Sequence, residues 1–165
     1  MRHFIAVEHE HCTGCRTCEL ICSLYHFGEC NPTKSAIQVI RRERNGLVFC
    51  LPLVCQRCEP APCIDACPTR AIFRDEAGAM SFNPNECTFC ELCIEACPVG
   101  AIAFTADQHL MNCDLCDGAP QCVPACHSSC LRVAASEGRA EQNADHLVRI
   151  LEHENLMDRT AARRG

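Results

Sequence analysis

The 165-residue chain carries nineteen cysteines, no Trp, a single Tyr and a formal net charge of −6, a balance that excludes electrostatic capture of nucleic acid. Without the cysteines its apolar share falls from 48% to about 36%, thin for a globular core, so something besides side-chain packing must fill the interior. No stretch approaches the roughly eighteen apolar residues of a membrane span.

In chain order, HFIAV (residues 3–7) reads as a strand, and CTGCRTCELIC then spaces Cys12, Cys15, Cys18 and Cys22 as C-x2-C-x2-C-x3-C. Residues 36–53 hold two strand-like stretches about Asn45-Gly46, a dipeptide that favours a tight hairpin turn. The second run, CQRCEPAPCIDACP, supplies Cys55, Cys58, Cys63 and Cys67 with a longer middle gap. A further hairpin, AIFRDEAGAMSFN, predicted to turn near Ala77-Gly78, joins it to CTFCELCIEACP with Cys87, Cys90, Cys93 and Cys97. AIAFT reads as a strand, after which CDLCDGAPQCVPAC supplies Cys113, Cys116, Cys122 and Cys126. The last thirty residues lack cysteine and place Ala144, Leu147, Val148 and Leu151 at helical spacing behind a Ser136 cap. They predict one helix of about four to six turns, and divide the chain into a cysteine-rich domain at 1–134 and a helical tail at 135–165.

Three chemistries compete for so many thiols. A secreted disulfide scaffold needs an export signal, and MRHFIAVEHEHC has charges where the apolar stretch of one belongs. Structural zinc prefers two C-x2-C pairs across a longer loop. Three cysteines at two-residue gaps with a fourth three residues later match iron–sulfur ligation; runs one and three have that spacing, and runs two and four come close to it with a longer middle gap. Three cysteines of a run wrap one face of a cubane, with backbone N–H groups turned toward the sulfurs, and the fourth starts a helix and reaches the other cluster of a pair. Pro68 and Pro98 follow the fourth cysteines of runs two and three, and CPTRAIF and CPVGAIAF are near-copies, an internal repeat. Spacing leaves two pairings open: inner with inner and outer with outer, or one with two and three with four. The expected class is α+β, short helices and hairpins around inorganic cores.

On these runs, residues 1–134 resemble the ferredoxin-like electron-transfer subunits of molybdenum and tungsten oxidoreductases. That resemblance implies two stacked bacterial-ferredoxin-like units with four [4Fe-4S] clusters and a cross-pairing of the runs. Cys12, Cys15 and Cys18 would share one cluster with Cys126, and Cys113, Cys116 and Cys122 another with Cys22. Cys55, Cys58 and Cys63 would take Cys97, while Cys87, Cys90 and Cys93 would take Cys67. Relatives that replace one ligand hold a three-iron cluster; all sixteen positions here are cysteine. The stretch CTGCRTCELICSLYHFGECNPTKSAIQV resembles, more narrowly, the opening of the small iron–sulfur subunit of tungsten-containing aldehyde oxidoreductases.

The resemblance implies a non-catalytic relay between a tungsten or molybdenum pterin catalytic subunit, of the aldehyde-oxidising kind, and a flavin subunit or ferredoxin; the missing export signal and oxygen-sensitive cofactors favour a cytoplasmic place for it. The electron-transfer subunit of a formate dehydrogenase or hydrogenase complex, a stand-alone polyferredoxin, and a zinc-stabilised interaction module are the competing readings. Sixteen thiolates on four cores would bring the net charge to about −14, favouring partners with basic docking faces. The tail's apolar stripe either covers this chain or reaches another subunit, self-association included. Cys30, Cys50 and Cys130 are expected to pack as small apolar residues. The eight histidines are read as surface or loop residues near clusters, and Arg41, Arg42 and Arg44 as a solvated hairpin tip.

Overall fold

The computed structural model describes residues 3–75, 80–135 and 139–154. The strands are β1 (His3–Val7), β2 (Ile37–Arg44), β3 (Leu47–Val54), β4 (Ile72–Arg74), β5 (Met80–Phe82), β6 (Ala103–Phe104), β7 (Leu110–Met111) and β8 (Leu131–Ala135). The helices are α1 (Thr17–Phe27), α2 (Pro62–Asp65), α3 (Leu92–Ala96) and α4 (Arg139–His153). All sheets among these residues are two-stranded and antiparallel: β1-β8, β2-β3, β4-β5 and β6-β7. The class is α+β, and the sheets are too small to enclose a core by themselves.

The β2-β3 hairpin forms where the Asn-Gly signal put it. Asn45 (φ 51°) and Gly46 (φ 77°) both take positive φ, the turn whose twist suits paired strands, and Arg44 faces Leu47 across it. Pro52 sits inside β3 opposite Val39. The Val39 N–H points away from β3 and donates to Glu19 Oε1 on α1 at 2.5 Å, so this pair exchanges no ladder bonds and the missing donor of Pro52 costs nothing. Glu19 is 1% exposed and is also held by Arg16 Nε at 2.6 Å. The carboxylate thereby fastens run one to the hairpin.

Two connections decide how the runs meet. β1 and β8 pair from His3↔Ala135 to Val7↔Leu131, and the Glu8 N–H donates to the Cys130 carbonyl at 2.8 Å, so the start of run one lies beside the end of run four. Helices α2 and α3, which carry Cys63 and Cys93, pack on each other. β7 and β8 carry no sequence signal strong enough to be expected, and AIAFT shortens to Ala103–Phe104, because such short strands are set by their partners more than by propensity. Ala77, Gly78 and Ser136, where a turn and a cap were expected, lie outside the described residues.

The stripe of α4 is spent on this chain. Ala140 packs with Phe4 and Ala6, while Ala144, Leu147 and Leu151 join the main core with Ile5, Ile37, Leu51, Val99 and Ile102. Asn143 Nδ2 donates to Gln56 Oε1 at 2.5 Å, and the Glu59 N–H to Glu141 Oε1 at 3.1 Å, so α4 covers the start of run two. Cys50 and Cys130 are buried as expected, but Cys30 is exposed: it lies just beyond α1, which ends at Gly28 in the left-handed conformation. Among the described residues no helix is long and apolar enough to cross a membrane.

Candidate iron–sulfur sites

The four runs share a backbone device. Immediately before the second cysteine of each stands a residue with positive φ: Gly14 (70°), Arg57 (54°), Phe89 (53°) and Leu115 (64°). In every run the N–H of that residue donates to the Sγ of the run's first cysteine, Cys12, Cys55, Cys87 or Cys113, at 3.3 Å in the case of Cys87. Among the described residues, nine of the eleven non-glycine residues with positive φ lie within the runs or within three residues of their ends. A left-handed turn costs an ordinary residue about 1–2 kcal/mol, and such strain concentrated in one repeated loop marks a site where amide N–H groups are gathered for an anion.

A second device follows the fourth cysteine. Arg70 (58°), Gly100 (66°) and Ser129 (56°) turn the chain three residues after Cys67, Cys97 and Cys126, and the next N–H, of Ala71, Ala101 or Cys130, donates back to that cysteine's sulfur. Hydroxyls add to this, Thr69 Oγ1 at 3.7 Å from Cys67 and Ser128 Oγ at 3.6 Å from Cys126. Run one departs from the pattern, because α1 continues through Cys22 to Phe27.

The thiols fall into groups drawn from different runs. Cys55, Cys58, Cys63 and Cys97 line one cavity, roofed by Pro98, Val99 and Ile102. Cys22, Cys113, Cys116 and Cys122 line a second, walled by Ile5, Ile37 and Val54. Cys55 lies close enough that its thiolate would raise Cys113, so the two cavities are neighbours. Cys93 lies within electrostatic reach of Cys67 and Cys87, Cys18 within reach of Glu19, Cys122 and Cys12, and Cys12 contacts Cys130, itself 3.4 Å from Cys126. Cys15 and Cys90 are exposed.

Two histidines abut these thiols: His26 Nε2 is 3.8 Å from Cys116 and His127 Nδ1 is 3.8 Å from Cys15. His26 also pairs with Asp114 at 3.4 Å. It stands four residues after Cys22, one helical turn on, which is the signal that places it there.

Burial dominates the protonation of the bare thiols. It pushes Cys55 and Cys122 up to about 12, and Cys63 and Cys93 to about 11, from an ordinary 9.0. Cys18 and Cys113 rise for the same reason. Cys12 is the contrast, lowered to about 6 because the Cys130 thiol donates to it, which raises Cys130 in turn. Cys67 and Cys126 are raised by burial but brought below the ordinary value by the donors gathered on them. Four thiols around an apolar cavity, deprotonated only at a cost, suit a cationic core that takes thiolates and returns charge to the site. The donor sets fit tetrathiolate iron–sulfur clusters.

Residues 47–139 match the family of 4Fe-4S dicluster domains, a span that holds twelve of the sixteen run cysteines and leaves run one outside. The chain belongs to that family. Among relatives of this dicluster protein, the aliphatic sulfonate oxidoreductase polyferredoxin-like subunit of Pyrococcus furiosus is 38% identical over 130 residues, 78% of this chain and 73% of the relative. An iron-sulfur protein of Rhodospirillum rubrum is 31% identical over 167 residues, covering 82% and 87%. Formate hydrogenlyase subunit 2 of Escherichia coli is 36% identical over 110 residues, covering 67% of this chain and 52% of its own length.

Proposed function

We propose that this chain is a non-catalytic electron-transfer subunit of an oxidoreductase complex, holding four [4Fe-4S] clusters in two stacked ferredoxin-like units. The observation that carries the reading is the fourfold repeat of one loop, in which a left-handed residue aims its N–H at the first sulfur of its run. Cys12, Cys15, Cys18 and Cys126 form one ligand set, and Cys22, Cys113, Cys116 and Cys122 the next. Cys55, Cys58, Cys63 and Cys97 form the third; Cys67, Cys87, Cys90 and Cys93 the fourth. A cluster bound by four thiolates supplies a one-electron couple and leaves no open iron for substrate. The chain's own work is then to hold, shield and tune: backbone donors on Cys12, Cys55, Cys87, Cys97 and Cys113 favour the more negative state, and burial opposes it.

The names of the relatives, subunits of a sulfonate oxidoreductase and a formate hydrogenlyase, support a place inside a larger complex. The finer assignment is a cytoplasmic relay between a tungsten or molybdenum pterin enzyme of the aldehyde-oxidising kind and a flavin subunit or ferredoxin. It rests on the segment after Cys12 and on the charge that favours basic docking faces. A stand-alone polyferredoxin is the second reading, favoured by the docking of α4 on its own chain. Anaerobic affinity purification from the native cell separates the two: a pterin-containing subunit co-purifies under the first and none under the second. Iron near sixteen atoms per chain is expected, and a colourless, folded, iron-free protein overturns both. Cys93→Ala tests the wiring, losing or converting the cluster shared with Cys67 while those on runs one and four persist.

A further inference from the structure

The repeat after the fourth cysteine has an odd member. Four residues beyond Cys67 and Cys97 stand Ala71 and Ala101, whose N–H groups donate to those sulfurs. At the same place after Cys126 the methyl is replaced by a thiol, Cys130. That thiol is 3% exposed, lies 3.4 Å from Cys126 Sγ and hydrogen-bonds Cys12, so it stands between the two arms of the ligand set drawn from runs one and four. The cavities lined by Cys55, Cys58, Cys63 and Cys97 and by Cys22, Cys113, Cys116 and Cys122 have no fifth cysteine on their walls. Cys126 is the more accessible of the pair.

The geometry points to Cys130 as a reserve ligand: the site formed by Cys12, Cys15, Cys18 and Cys126 holds five thiols, and Cys130 takes the iron that Cys126 leaves when Cys126 is oxidised, alkylated or absent. This rests on the proposed ligand sets. The exchange needs no electrons. The Cys126 sulfur–iron bond breaks and a Cys130 sulfur–iron bond forms. In each of these cases the proton of the Cys130 thiol goes to solvent. A site of this kind keeps four irons under damage that would reduce an ordinary site to three.

The test uses the full chain purified anaerobically, with iron per chain and low-temperature EPR as readouts. Wild type and C130A are expected to hold about sixteen irons each, and C126A to hold about sixteen with a changed signal from one cluster. C126A/C130A, like C97A at a site without a fifth thiol, is expected to lose up to about four irons or to show a three-iron signal. Equal losses in C126A and C126A/C130A overturn the reserve ligand, and so does loss from C130A alone, which would make Cys130 the resident ligand. If C126A does not accumulate, C126V, whose side chain offers iron no ligand, is read in the same way. A wild-type count well below about sixteen overturns the four-cluster reading itself, whereas a full count with equal losses overturns only the role of Cys130.

Discussion

A Cβ placed on Gly14 would lie 2.5 Å from Cys50 Sγ, so the loop of run one and strand β3 approach as closely as only glycine permits. Gly14 also has φ 70°, which costs alanine about 1 kcal/mol before any clash. G14A is therefore expected to displace the loop carrying Cys12 and Cys15 and to lower iron by up to about four atoms per chain. Adding C50A removes the clashing sulfur, leaving an ordinary contact of 3.6 Å or more to Cys50 Cβ. The double variant should recover most of the iron, and failure to recover would place the fault in the backbone angle alone.

Glu19 separates stability from charge. E19A leaves the buried Val39 N–H without its partner, a loss of about 1–3 kcal/mol in denaturant unfolding. E19Q keeps an acceptor for Val39 but removes the negative charge that opposes thiolate at Cys18 and Cys12. Its expected mark is a higher midpoint potential for one cluster in a potentiometric titration, with a smaller change in stability. Equal destabilisation by both variants would assign the whole effect to the ion pair with Arg16.

Cluster loading and bare-chain stability should respond to pH with opposite signs. Without clusters, Cys55 and Cys122 titrate near 12 and Cys63 and Cys93 near 11, against 9.0 for the unfolded chain. Above 9.0 the unfolded chain binds fewer protons, so the stability these thiols contribute is full below that pH and is lost as pH rises toward 11 and 12. Ligation needs thiolates and releases those protons, so loading strengthens as pH rises. Reconstitution near pH 8, followed by pH-stat, should release protons, and chelators should strip iron faster as pH falls. Proton-neutral loading would show that the thiols ionise before iron arrives.

The tail helix is expected to be structural. Leu147 is fully buried in the shared core, so L147A should cost about 3 kcal/mol. Because α4 lies over Glu59 and Gln56, the variant should also lose iron to oxygen faster at the site of Cys55 and Cys58 than elsewhere. Unchanged stability would mean that α4 docks only weakly on its own chain.

Spacing alone determined that sixteen cysteines form four like runs, that Asn45-Gly46 turns a hairpin, and that the last thirty residues hold a helix with Ala144, Leu147, Val148 and Leu151 on one stripe. These are local facts, set by period, turn chemistry and covalent distance. Only the tertiary structure decided that Glu19 ties α1 to β2, that the α4 stripe is spent on its own chain, and that β8 closes on β1. It alone brought Cys130 against Cys12 and Cys126. Apart from the contact of Cys130 with Cys126, four residues away, each of those joins residues far apart in the chain through burial or a single hydrogen bond, and such pairings leave no periodicity in the sequence to read. Cys30 and Cys130 show the same limit: both look like spare cysteines, and only the path of the chain leaves one in solvent and buries the other against Cys12 and Cys126.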